Sequence, residues 1–156
     1  MRKIVRFGIL ILIVGFIVIQ FFQPEKNKEQ ITGNDILRYH EVPETVAAIL
    51  EESCYDCHSN NTRYPWYDRI SPVSWMVNNH IQDGKHELNF SEWGKLDIYK
   101  KITTLEEIRQ ESSRKTMPLK SYLIMHPKAR LSDEQIKTIE EWAEKLGEGL
   151  LEGANN

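Results

Sequence analysis

Hydrophobic positions fall into one long uninterrupted run and several stretches of helical period. Residues 4–22 read IVRFGILILIVGFIVIQFF, with Arg6 and Gln20 the only polar members. As a helix these 19 residues would extend about 28 Å, near the hydrocarbon thickness of a bilayer. The run therefore predicts one N-terminal transmembrane anchor over 1–23. Arg2, Lys3 and Arg6 precede its apolar part, so the positive-inside rule predicts a cytoplasmic N-terminus and a C-terminal domain in the periplasm. The bulky residues Ile19 to Phe22 offer no small-residue cleavage site, which favours an anchor over a signal peptide. The expected location is the cytoplasmic (inner) membrane, crossed once.

Residues 24–42 are polar and aperiodic and read as a tether. A domain over 43–147 is expected to follow. Pro43 and Glu44 open a helix that carries Val46, Ile49 and Leu50 toward a core and runs into Cys54. The aromatic loop after His58 is broken by two prolines. Ser71-Pro72 then starts a helix over 72–83 with Gly84 as its stop. Ile98, Ile102, Leu105 and Ile108 mark an amphipathic helix over 96–112. Ser132 with Gln135 forms a capping box ahead of Ile136, Ile139, Trp142 and Leu146, a last helix that stops at Gly147. Trp75, Trp93 and Trp142 read as core, and residues 148–156 as a flexible tail. No strand alternation persists, so the fold class expected is all-α, a cytochrome c-like helical domain after one transmembrane helix.

Charge narrows the partners. The whole chain carries 20 Lys plus Arg against 23 Asp plus Glu. Beyond residue 23 the balance is 17 basic to 23 acidic, a net of about −6 with no basic stripe. Nucleic acid is thus not an expected partner, because phosphate binding would lack its main source of affinity.

The only two cysteines stand in Cys54-Tyr55-Asp56-Cys57-His58. This is the spacing of c-type haem attachment: two thiols reach two vinyl groups on one macrocycle, and the adjacent imidazole ligates the iron. Three other uses of the pair compete with this one. A thioredoxin-like dithiol needs a preceding strand, and none is patterned here. A zinc site needs a second short-spaced ligand pair, whereas His40, His80, His86 and His126 are scattered. A plain disulfide would close a tiny loop and leave His58 unexplained. Covalent haem attachment in bacteria is completed outside the cytoplasmic membrane, which agrees with the topology expected above.

The segments CYDCHSNNTRYPWY at 54–67, SPVSWMVNNHIQDGKHELNFSEW at 71–93 and MPLKSYLIMHPKARLSDEQI at 117–136 resemble the c-type cytochromes, and more narrowly a bacterial haem-binding domain family with one such motif in a helical domain. One departure is Met117-Pro118-Leu119 where relatives typically show Met-Pro-Pro. The resemblance implies one covalent haem c per chain, held by Cys54, Cys57 and His58. In c-type cytochromes the second axial Met commonly sits in a loop before the last helix, followed by Pro, and Met117 stands in that place. His80, Met125 and His126 are the other main candidates, with His86 behind them; His126 alternatively serves as a hydrogen-bonding pin of its loop. Tyr64, Trp66 and Tyr67 could line the haem, with Arg63 or Arg69 near a propionate. The expected function is electron transfer to a redox partner protein, without catalysis and so without catalytic residues. The alternative is a haem-based sensor or haem enzyme with an open or displaceable sixth ligand.

Overall fold

The computed structural model describes residues 1–154. Eight α-helices account for nearly all regular structure among them: α1 Arg2–Ile19, α2 Ile36–Tyr39, α3 Glu44–Ser53, α4 Tyr55–His58, α5 Val73–Glu87, α6 Ile98–Ser113, α7 Lys120–Met125 and α8 Asp133–Ala154. Lys28 and Asn61 form one isolated antiparallel bridge. The all-α expectation holds.

The transmembrane anchor does not. Among the described residues no helix is long and apolar enough to cross a membrane. The reason lies in the composition of α1: Arg2, Lys3 and Arg6 fall inside the helix, so the uninterrupted apolar part is residues 7–19. At 1.5 Å per residue those 13 residues reach about 20 Å, short of the roughly 30 Å hydrocarbon core. The end of α1 is tied to protein instead. Gln20 Nε2 donates to the Ser71 carbonyl at 3.1 Å, Ser71 N–H donates to Gln20 Oε1 at 2.9 Å, and Gln23 Nε2 donates to Ser71 Oγ at 2.8 Å. The single-pass inner-membrane placement, and the periplasmic orientation derived from it, fall with the anchor.

The segment 24–42 is packed on the domain and is no tether. Asn27 is buried and donates from Nδ2 to the Ser59 carbonyl and to Thr62 Oγ1, both at 2.8 Å. Asp35 caps α2 by accepting from Leu37 N–H at 3.1 Å, and Ile36 is wholly buried. A short polar side chain, Asn27, here satisfies a backbone carbonyl of the loop after the CxxCH motif, and that pairing is invisible to hydrophobic periodicity.

The core joins Ile36, Val46 and Leu50 to Tyr55, Phe90, Trp93, Leu105, Trp142 and Ala143. Helices α6 and α8 pack against each other through the stripe containing Leu105 and the stripe containing Ile139 and Trp142. Asp97 caps α6 by accepting from Lys100 N–H at 2.8 Å. The capping box of α8 is reciprocal: Ser132 N–H donates to Gln135 Oε1 at 2.9 Å, and Gln135 N–H to Ser132 Oγ at 3.1 Å. Helix α8 runs past Gly147 to Ala154, so the described part of the tail is helical. Trp75 departs from its core reading. It is about a third exposed, and its indole N–H donates to the Phe22 carbonyl at 2.6 Å.

Candidate haem site

Helix α3 ends at Ser53, and the motif begins at once: Cys54 is the junction and α4 holds Tyr55 to His58. A one-turn helix places residues three apart on one side. Cys54, Cys57 and His58 therefore all line one cavity of about 560 Å³, between α4, α5 and the segment 117–126. That volume lies within the roughly 300–1,000 Å³ of small-molecule sites. The cysteines are free. Burial, with the other sulfur second, pushes the Cys54 thiol up to about 12; burial, then the Asp56 charge, pushes Cys57 up to about 11. Both shifts run opposite to the lowered thiol pKa of a redox-active CxxC pair. Among the described residues no three His, Cys, Asp or Glu side chains gather into a metal-binding group.

His58 Nδ1 lies 3.0 Å from the Leu88 carbonyl oxygen. A carbonyl only accepts, so Nδ1 carries the hydrogen and Nε2 keeps its lone pair. Burial holds this imidazole below the ordinary histidine value, against a smaller opposing effect of backbone carbonyls at Leu88 and Gly84. A neutral ring oriented by a carbonyl is the form that binds iron. Its neighbour Phe90 lies edge-on at 6.3 Å between ring centroids and stacks face to face on Tyr55 at 5.2 Å. The Tyr55 hydroxyl donates to buried Asp35 at 2.8 Å, and Ser91 Oγ donates to the other oxygen of that carboxylate at 3.1 Å. The first spacer residue of the motif is thus fixed to the segment 24–42.

Helix α5 crosses close to the motif. A Cβ on Gly84 would stand 2.9 Å from the Cys57 carbonyl oxygen and 3.1 Å from its Cβ. Gly84 is therefore no helix stop: α5 continues through it to Glu87, and the glycine lets backbone meet backbone.

The structure brings Met117, His80, Met125 and His126 to the same cavity as the cysteines and His58. His86 lies on the exposed side of α5, outside the lining. Met117 is partly buried, next to buried Pro118, whereas Met125 is half exposed. His126 is already engaged. Its Nε2 shares a 2.7 Å hydrogen bond with the Tyr67 hydroxyl, and its ring stacks on Tyr122 at 4.2 Å. Tyr67 and Trp66 line the cavity, but Tyr64 turns away and accepts from Asn27 N–H at 2.7 Å. Arg63 is held by Asp56, and Arg69 lies outside the lining. Asp35, Asp56, Gly84 and Tyr122 escaped the sequence reading. Only Gly84 carried a local signal, and that signal suggested a helix end.

A cavity of this size, two free thiols on its wall and a neutral imidazole with its outer nitrogen satisfied fit a haem. No curated protein and no solved structure matches the chain. The model of the haem-binding domain family matches residues 14–145, which take in the whole cavity, and the chain belongs to that family.

Proposed function

We propose that the cavity takes one haem of the c type and that the protein carries electrons to or from a redox partner. Cys54 and Cys57 would hold it through thioethers, and His58, through Nε2, and Met117 would be its iron ligands. One observation carries the reading: both thiols and an imidazole pinned through Nδ1 to the Leu88 carbonyl at 3.0 Å share one cavity wall. When bound, haem supplies a one-electron iron couple. The chain's own part is to hold the imidazole neutral and oriented, to keep the thiols protonated until they are used, and to exclude water with an apolar lining. Trp66, Met76 and Met125 line the cavity and are each about half exposed or more, an apolar rim suited to a partner protein.

The test is optical. Protein made with haem-maturation machinery should show c-type absorption that survives acid and organic extraction, and Cys54→Ala with Cys57→Ala should abolish that retention. Met117→Ala should keep the haem, lose the near-infrared sulfur-to-iron band and lower the potential, because a soft thioether favours the ferrous state. A shift produced by His80→Ala instead would move the ligand role to His80. If neither mattered and native protein bound carbon monoxide readily, a sensor or enzyme with an open sixth position would replace the electron carrier.

A further inference from the structure

The segment 117–126 forms one side of the cavity, and Pro118 is its one buried residue. Helix α7 buries no residue, and Ile124 and Met125 are 77% and 51% exposed. Polar contacts take over. The buried Asp56 carboxylate accepts through Oδ1 from Arg63 N–H at 3.1 Å and from Arg63 Nε at 3.0 Å, and through Oδ2 from the Tyr122 hydroxyl at 2.7 Å. The Tyr122 ring stacks on His126 within 6° of parallel, and His126 is bonded to Tyr67 at 2.7 Å. A motif residue is so joined to a side chain 66 positions later.

We infer that Asp56 and Tyr122 are positioning residues: together they clamp the segment 117–126 onto the haem-attachment turn and so govern entry of small ligands to the cavity. Arg63 is the third member, since its two bonds to Oδ1 fix the carboxylate with Oδ2 turned to Tyr122. Hydrogen bonds to a charged group are the stronger kind, and no fully buried residue of α7 shares the load with this one. Tyr122 is also kept protonated, and hence a donor, by burial first and by its bond to Asp56 second. The inference rests on the haem reading for its second readout only.

Full-length protein as purified, its Tyr122→Phe and Asp56→Asn variants, and Tyr99→Phe as a control at a residue 76% exposed would be compared by amide hydrogen exchange and by carbon monoxide binding to the reduced form. Tyr122→Phe keeps the stacking and removes only the hydroxyl. It should speed exchange in 117–126 about tenfold while α6 and α8 stay protected, and Asp56→Asn should act in the same direction. Carbon monoxide should bind the reduced Tyr122→Phe protein about tenfold faster, with Tyr99→Phe unchanged. Exchange in 117–126 that matches the wild type would overturn the inference. So would faster exchange spread through α6 and α8, or local loosening that left carbon monoxide binding unaltered. Should the purified protein carry no covalent haem, the proposed function fails on its own, and the exchange measurement alone decides the clamp.

Discussion

His40 shows how one partly buried side chain ties stability to pH. Its ring meets Trp93 edge-on with centroids 6.1 Å apart, and its Nε2 is buried without a hydrogen-bond partner. Burial, and after it the charge of Lys101, holds the imidazole below its ordinary value of 6.5. As pH falls through 6.5 the unfolded chain takes up the proton first, so it binds more protons than the native state and stability falls. Above that pH both states are neutral and the effect vanishes. His40→Phe should therefore lose less stability than the wild type between pH 7.5 and pH 5.5, read as urea midpoints at the two values. Equal pH dependence in the two proteins would remove His40 from the account. The same residue scale separates the thiols from ordinary reactive cysteines, because the burial that shapes the cavity also keeps both in the neutral form.

Among the elements, α5 matters most to the site, since its C-cap Leu88 supplies the carbonyl that orients His58 and Gly84 within it is the glycine against which Cys57 rests. Leu88 N–H donates to the Gly84 carbonyl at 2.9 Å, closing the last turn of α5 and leaving the Leu88 carbonyl directed at the imidazole. Gly84→Ala puts a methyl group against backbone, which cannot rotate away, so helix and motif must separate. The expected cost is about 1–3 kcal/mol in urea unfolding, with a lower yield of bound haem. Gly147→Ala is the matched comparison: its Cβ would meet only Leu105 Cδ1 at 3.8 Å. That change should be neutral or stabilise by up to about 1 kcal/mol, as alanine does inside a helix. Similar losses from both substitutions would show that close packing at Cys57 is not what Gly84 provides. In sequence the two glycines look alike, each following an apolar stripe. Neither ends its helix, and the close approach of α4 to α5 alone gives Gly84 its constraint.

For the molecule as a whole, the N-terminal third divides into parts of opposite importance. Helix α1 buries no residue. A chain beginning at residue 20 should keep the native melting temperature to within a few degrees, on the scale of about 1 kcal/mol or less. A chain beginning at residue 43 should lose cooperative melting. It would lack Ile36, at about 2–5 kcal/mol for a buried aliphatic side chain, and the Asp35 acceptor of Tyr55 and Ser91, at about 1–3 kcal/mol more, against a total of about 5–15 kcal/mol. Circular dichroism melts of the two truncations decide the point. Residue order alone contains what depends on near neighbours in the chain. The CxxCH spacing within one helical turn, the apolar period of α6 and α8 and the reciprocal cap at Ser132 each act over three or four residues, so the order of residues contains them. Tertiary structure decided what depends on distant partners. It drew 24–42 into the domain, paired Asp56 with Tyr122, turned Gly84 from a stop into a contact and occupied His126 with Tyr67. Each of these is a hydrogen bond or close approach between segments far apart in the chain, and burial makes such a contact strong enough to shape the site.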